Sequence, residues 1–193
     1  LVEPDVVEIE LVGLAAHHVG VAGAEDGVGG IEHRLELAAR DAHHVADVVH
    51  RDRLEALENC RTKAKGAPPL EDLVAAFLHP LFGRAQASSE WKNYLRLVAR
   101  LSVEKEWVDT LATLYNPTAK YFINAMRMIY PDASEDKLYW AYHFLLGNMV
   151  FTGADSGRID QLSDGLVKSS DFAKAYEYLL VFTSAGMRAI LQG

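Results

Sequence analysis

Three groups of side chains in this 193-residue chain are of types that could do chemistry. The first is histidine: six of the eight stand in the first fifty residues, as His17-His18, His33, His43-His44 and His50. A zinc or nickel site needs three or four ligands converging in space, each oriented by a further partner. Adjacent histidines on a helix point about 100° apart, so neither pair makes a site alone. His43 and Asp47, four residues apart, could share a helix face, but no further ligands are in place and no metal is expected. The second group is the carboxylates of "EKEWVD", Glu104, Glu106 and Asp109. A di-iron bundle needs Glu-x-x-His as well as Glu, and no Glu-x-x-His occurs. No Gly-x-Ser-x-Gly elbow is present to raise a serine nucleophile. "GAEDGVGGIEH" lacks the Lys-Ser/Thr of a phosphate loop and the spacing of a dinucleotide turn. No catalytic residue and no cofactor are therefore expected. The third group is Tyr115, Asn116 and His143, polar residues set among aromatic ones. Buried polar groups need partners, and a ligand can be one.

The segment that would position the third group is "LATLYNPTAKYFINAM", Leu111 to Met126. Its apolar residues recur at helical spacing, yet Asn116-Pro117 interrupts it. Proline in a helix interior costs roughly 3 kcal/mol and frees a carbonyl of the preceding turn. A helix opened there is expected to border a cavity between helices. Its expected wall draws Phe77, Trp91 and Tyr94 from the preceding helices. The proline-bearing helix contributes Trp107, Leu111, Tyr115, Asn116, Phe122 and Met126, and the next one Tyr139 and His143. No cluster of Arg or Lys falls on these faces, so the expected small-molecule effector is apolar or amphipathic.

The surrounding elements all carry helical periodicity. The first spans about residues 48–65 and ends at "GAPP". Pro69 starts the second, with Leu70, Leu73, Phe77 and Leu81 on one stripe and Gly83 at its end. Ser88 or Ser89 caps the third, with Glu90 in its first turn. The fourth runs from about Glu104 through Asn116-Pro117 to Tyr130-Pro131. A capping box at Ser134 opens the fifth. A polar loop follows, and Ser170 or Asp171 caps the last. No period-2 strand appears after residue 50, so the class is all-α, a helical bundle.

Residues 1–50 differ from the rest. They hold ten acidic residues against Arg34 and Arg40, which accounts for the whole net charge of −8. They contain no aromatic residue, Met, Lys, Ser, Thr, Asn or Gln. Almost every residue type present has a codon beginning with G or C, the composition GC-rich DNA gives when translated out of frame. Such a segment repels nucleic acid phosphates. The division expected is an N-terminal segment, 1–47, and a helical domain, 48–193. A lone Cys60 cannot close an internal disulfide and suits a cytoplasmic location. No apolar run is long enough for a membrane span.

The fifth and last helices are apolar nearly all round, and small residues interrupt both. A pair of such helices facing a symmetry mate gives a four-helix homodimer interface. On the fifth helix the expected contacts are Tyr142, Leu146, Gly147 and Val150. On the last they are Tyr178, Phe182, Ala185 and Gly186.

The succession "RLEALENCRTKAKGAPPLEDLVAAFLHPLF", "WKNYLRLVARL" and "LYNPTAKYFINAMRMIYP", with "FLLGNM" in the fifth helix, resembles the C-terminal half of TetR/AcrR-type transcriptional regulators. The resemblance covers roughly residues 48–193. It implies a domain that binds a small effector and dimerises through its last two long helices. It also implies an N-terminal helix-turn-helix on operator DNA, with repression as the outcome. Residues 1–50 carry neither the basic nor the aromatic residues of such a head, so the resemblance assigns DNA contact to no residue here. A ligand-binding or interaction dimer without DNA binding is the alternative.

Overall fold

The computed structural model describes the backbone of residues 28–193 other than Glu104, and side chains from residue 45 onward other than Glu104 and Glu106. The side chains of the paired histidines and residues 23–27 of the glycine-rich stretch lie outside these. Seven α-helices and no strand occur among the described residues: α1 (Val28–Ala64), α2 (Leu70–Ala87), α3 (Ser89–Leu101), α4 (Val108–Ile129), α5 (Glu135–Gly153), α6 (Arg158–Leu162) and α7 (Phe172–Gln192). A 3-10 turn, Lys105–Trp107, leads into α4.

The all-α expectation holds, with corrections at the element ends. Helix α1 is continuous over 37 residues and crosses the compositional change near residue 48 without a break. Helix α2 runs past Gly83 to Ala87, because Phe82 and Ala85 are buried and hold the last turn against the core. Ser88 caps α3 as expected, its hydroxyl accepting from the Trp91 N–H at 3.4 Å. Ser134 occupies the cap position of α5, but its side chain bonds no helix N–H, so the expected capping box does not form. The loop before α7 contains the short helix α6, and Asp171 caps α7 through the Lys174 N–H at 3.1 Å.

Helix α2 lies at the centre, packed against α1, α3, α4 and α7, while α5 closes the bundle against α3, α4 and α7. The reason is in its sequence: Leu70, Leu73, Val74, Phe77, Leu78, Leu81 and Phe82 cover more than one face, and all are buried. A helix apolar on several sides is stable only when surrounded. Its Phe77 ring packs edge-on against Phe122 at 5.1 Å and Tyr142 at 5.6 Å, joining α2, α4 and α5. Helix α4 runs as one helix from Val108 to Ile129 with Pro117 inside it, on its exposed side. Among the described residues no helix is long and apolar enough to cross a membrane.

Candidate functional site

The inward stripe of α1 reads Val45, Val49, Arg53, Leu57, each four residues from the last, and all four are buried. Such spacing keeps residues on one face, so Arg53 occupies a core position. It is 3% exposed. Its Nε donates to the Phe77 carbonyl oxygen at 2.8 Å, its Nη2 lies 3.2 Å from the Met149 sulfur, and its guanidinium carbon sits 3.8 Å above the Phe77 ring centroid. The neighbouring carboxylate, Asp52, turns the other way. It accepts from Arg84 Nε at 2.9 Å and Nη2 at 2.6 Å, and lies 3.6 Å from Arg51.

Three tyrosines lie near enough to act on the charge of the guanidinium, and Tyr142 shares the Phe77 ring with it. Tyr94 on α3 and Tyr115 on α4 share a hydroxyl–hydroxyl hydrogen bond of 2.7 Å. Tyr142 comes from α5. Burial disfavours the charged form of Arg53, lowering its pKa, and the three tyrosines oppose that shift. Burial raises the Tyr94 phenol well above its ordinary range, with Tyr115 adding to it, and raises Tyr115 too. Burial also pushes Tyr142 up to about 12, against the pull of the Arg53 charge. All three are neutral near pH 7 and supply hydroxyls but no countercharge.

The expected cavity wall is only partly assembled. Phe77, Trp91, Tyr94, Phe122 and Met126 are buried and packed on one another, with Tyr115 half-buried beside them. Trp107 and Leu111 are half-buried at the start of α4. Tyr139 and His143 are not brought to this cluster: both are exposed on α5, where His143 meets Trp140 and Phe144. Asn116 is exposed as well. It lines an open depression of about 620 Å³ with Ala112, Thr113, Pro117, Lys120, Tyr121 and Asn124, all from the outer side of α4. Tyr115, Thr118 and Phe122 lie on the opposite, inner side. The proline and the aromatic cluster thus belong to different faces of one helix.

Two buried polar atoms, Trp91 Nε1 and Ser184 Oγ, have no hydrogen-bond partner among the described residues. The Trp91 ring lies beneath Arg84, 4.7 Å away, and edge-on to Tyr94 at 5.6 Å. His50, one turn before Arg53, bonds through Nδ1 to the hydroxyl of Thr118, which is buried on α4. Cys60 is half-buried near the Asp72 carbonyl, and burial, then Asp72, raises its thiol pKa, the reverse of activation. No group of three metal-ligating side chains occurs among the described residues.

Residues 75–186, from within α2 to within α7, match the family described as tetracyclin repressor-like, C-terminal domain. The chain belongs to the TetR-like family. No curated protein matches it. The TetR-like match begins after α1, so it includes Tyr94, Tyr115 and Tyr142 but not Arg53. The family is one of regulators, and the helical resemblance read from the sequence holds.

On this TetR-like domain the expected interface residues divide. Tyr178 and Phe182 are exposed on α7, at 67% and 70%, and Ala185 and Gly186 are exposed with them. Gly147 is exposed on α5 and Leu146 is half-buried. Tyr142 and Val150 turn the other way: Val150 is buried, and Tyr142 packs inward on Phe77 beside Arg53. The residue sequence reasoning missed is Arg53. Its signal was present, a cation at an i, i+4 position within an apolar stripe, but it sat on α1 and not on the faces searched for a pocket.

Proposed function

We propose that the chain is a TetR-like transcriptional regulator, a repressor, that binds a small effector at the Arg53–tyrosine cluster and pairs with a second copy through the outer faces of α5 and α7. The observation that carries the effector reading is that α1 joins the site to the N-terminal segment as one helix. Arg53 fixes α1 to α2 at the Phe77 carbonyl, and His50 fixes it to α4 at Thr118. A ligand that takes over Arg53 alters both how α1 is seated and the placement of whatever precedes it. In a dimer, that changes the spacing of two DNA-binding heads.

Pairing is supported by a bare apolar face. Trp140, Phe144 and Phe151 on α5, and Tyr178, Val181 and Phe182 on α7, are between 49% and 72% exposed. Contiguous exposed apolar surface of this kind marks an interaction site. Cβ atoms built at Gly147 or Gly186 meet nothing within 4 Å, so both glycines leave room for a neighbouring helix. Gly147→Arg tests this without disturbing the subunit. The expected result in sedimentation is a monomer with unchanged circular dichroism, and an unchanged dimer mass overturns the interface.

A second reading, a ligand-binding dimer without DNA binding, draws support from the first fifty residues, whose balance is −8 with no lysine. A gel shift against DNA flanking the gene decides between them, run with the chain as it stands and with a basic helix-turn-helix segment in place of residues 1–47. Failure of both proteins removes the regulator reading.

A further inference from the structure

We propose that Arg53 anchors the negatively charged head of an amphipathic ligand, a carboxylate on an apolar body, and that Tyr94, Tyr115 and Tyr142 complete the head-group site. The proposal rests on the effector reading above and names the chemistry of the effector. A guanidinium has five N–H donors. Arg53 gives one to the Phe77 carbonyl and directs one at the Met149 sulfur. Neither acceptor carries a charge, and three donors of the fork remain. No carboxylate among the described residues pairs with it, and Asp52, the nearest in sequence, is engaged by Arg84.

A buried charge without a countercharge is among the costliest groups a fold can hold. Packing does not require it, since a methionine or leucine would continue the Val45, Val49, Leu57 stripe. A ligand that supplies the missing charge gives it a use. Carboxylate fits the fork best, because its two oxygens match two parallel N–H groups. The hydroxyls of Tyr94 and Tyr115, bonded to each other at 2.7 Å, keep one hydrogen between them to donate to the same anion. Tyr115 and Tyr142 are the half-buried members of the cluster, and Tyr94 is fully buried. Around the head, Phe77, Phe122 and Met149 are apolar and fully buried, so the body of the ligand enters only as these side chains part. The ligand expected from the sequence alone was apolar or amphipathic, and Arg53 narrows it to an amphipathic anion.

The test uses the full chain, with decanoate, decanol and decylamine as probes and calorimetry as the readout. Decanoate is expected to bind about tenfold more tightly than decanol, the scale of a charged hydrogen-bonded head, and decylamine more weakly than either. Arg53→Gln is expected to bring decanoate to within about twofold of decanol, with circular dichroism reporting an intact fold. Tyr115→Phe is a second variant, expected to weaken decanoate several-fold and decanol by less. Equal binding of decanoate and decanol by the unaltered protein, or a carboxylate preference that survives Arg53→Gln, overturns the head-group assignment and leaves the effector reading standing. No binding of any probe overturns both.

Discussion

Gly153 is the last residue of α5, and a Cβ built on it would stand 2.5 Å from Leu95 Cδ1 and 2.7 Å from Leu95 Cγ. Real Cβ atoms do not approach so closely, so Gly153→Ala forces either Leu95 or α3 to move. Leu95 is fully buried, so any turn of its side chain meets the surrounding core. Overpacking of this kind costs about 1–3 kcal/mol. Alanine returns part of that, up to about 1 kcal/mol, by its better helix propensity, and less at a helix end. The expected net loss is about 1–2 kcal/mol, or about 2–8 °C in Tm for a chain of this length. Gly147→Ala on the same helix is the internal control. Within the subunit its Cβ meets nothing within 4 Å, so at concentrations that keep the chain monomeric propensity acts alone and the subunit gains about 0.5–1 kcal/mol. Urea and thermal unfolding of the two variants, at matched protein concentrations, should give shifts of opposite sign. The consequence reaches the site, because α3 also carries Tyr94: displaced outward, it should lengthen the Tyr94–Tyr115 contact and weaken effector binding. A Gly153→Ala protein as stable as its parent would refute the close approach of α3 and α5, and with it the reason for a glycine there.

Two further outcomes are expected. The Glu71 carboxyl is held below its ordinary pKa chiefly by a hydrogen bond from Arg188 on α7. A depressed carboxyl contributes stability that is complete above its unfolded value and lost as pH falls through the lower folded one. Glu71→Gln should therefore flatten the acid limb of the stability–pH curve without changing its slope near pH 7, and parallel acid limbs would exclude the pair as a contributor. Pro117→Ala gives the Thr113 carbonyl back its donor on an exposed turn of α4 and should raise stability by up to about 3 kcal/mol in chemical denaturation. A loss of stability would mean that the proline fixes a conformation that alanine leaves loose.

The sequence by itself determined the class and most of the helices. Local rules suffice for that: apolar spacing, Ser88 and Asp171 at caps, and Pro69 before a first turn act within one or two turns of chain. The resemblance in "PPLEDLVAAFL" and "FLLGNM" was legible for the same reason. Tertiary structure decided the site. Helix α5 is apolar on nearly every side, so its periodicity names no inner face. Only the neighbours α2, α3, α4 and α7 settle that Tyr142 and Val150 turn in while Tyr139, His143 and Gly147 turn out. Pro117 marked α4 as unusual but not which side of it mattered, and that side faces away from Phe77 and Tyr115. Arg53 is the clearest case. An arginine on a helix is ordinarily solvated, and no local rule buries one. Its burial follows from α1 docking its Val45–Val49–Leu57 stripe against α2 and α4, which carries the charge between those apolar residues into the core.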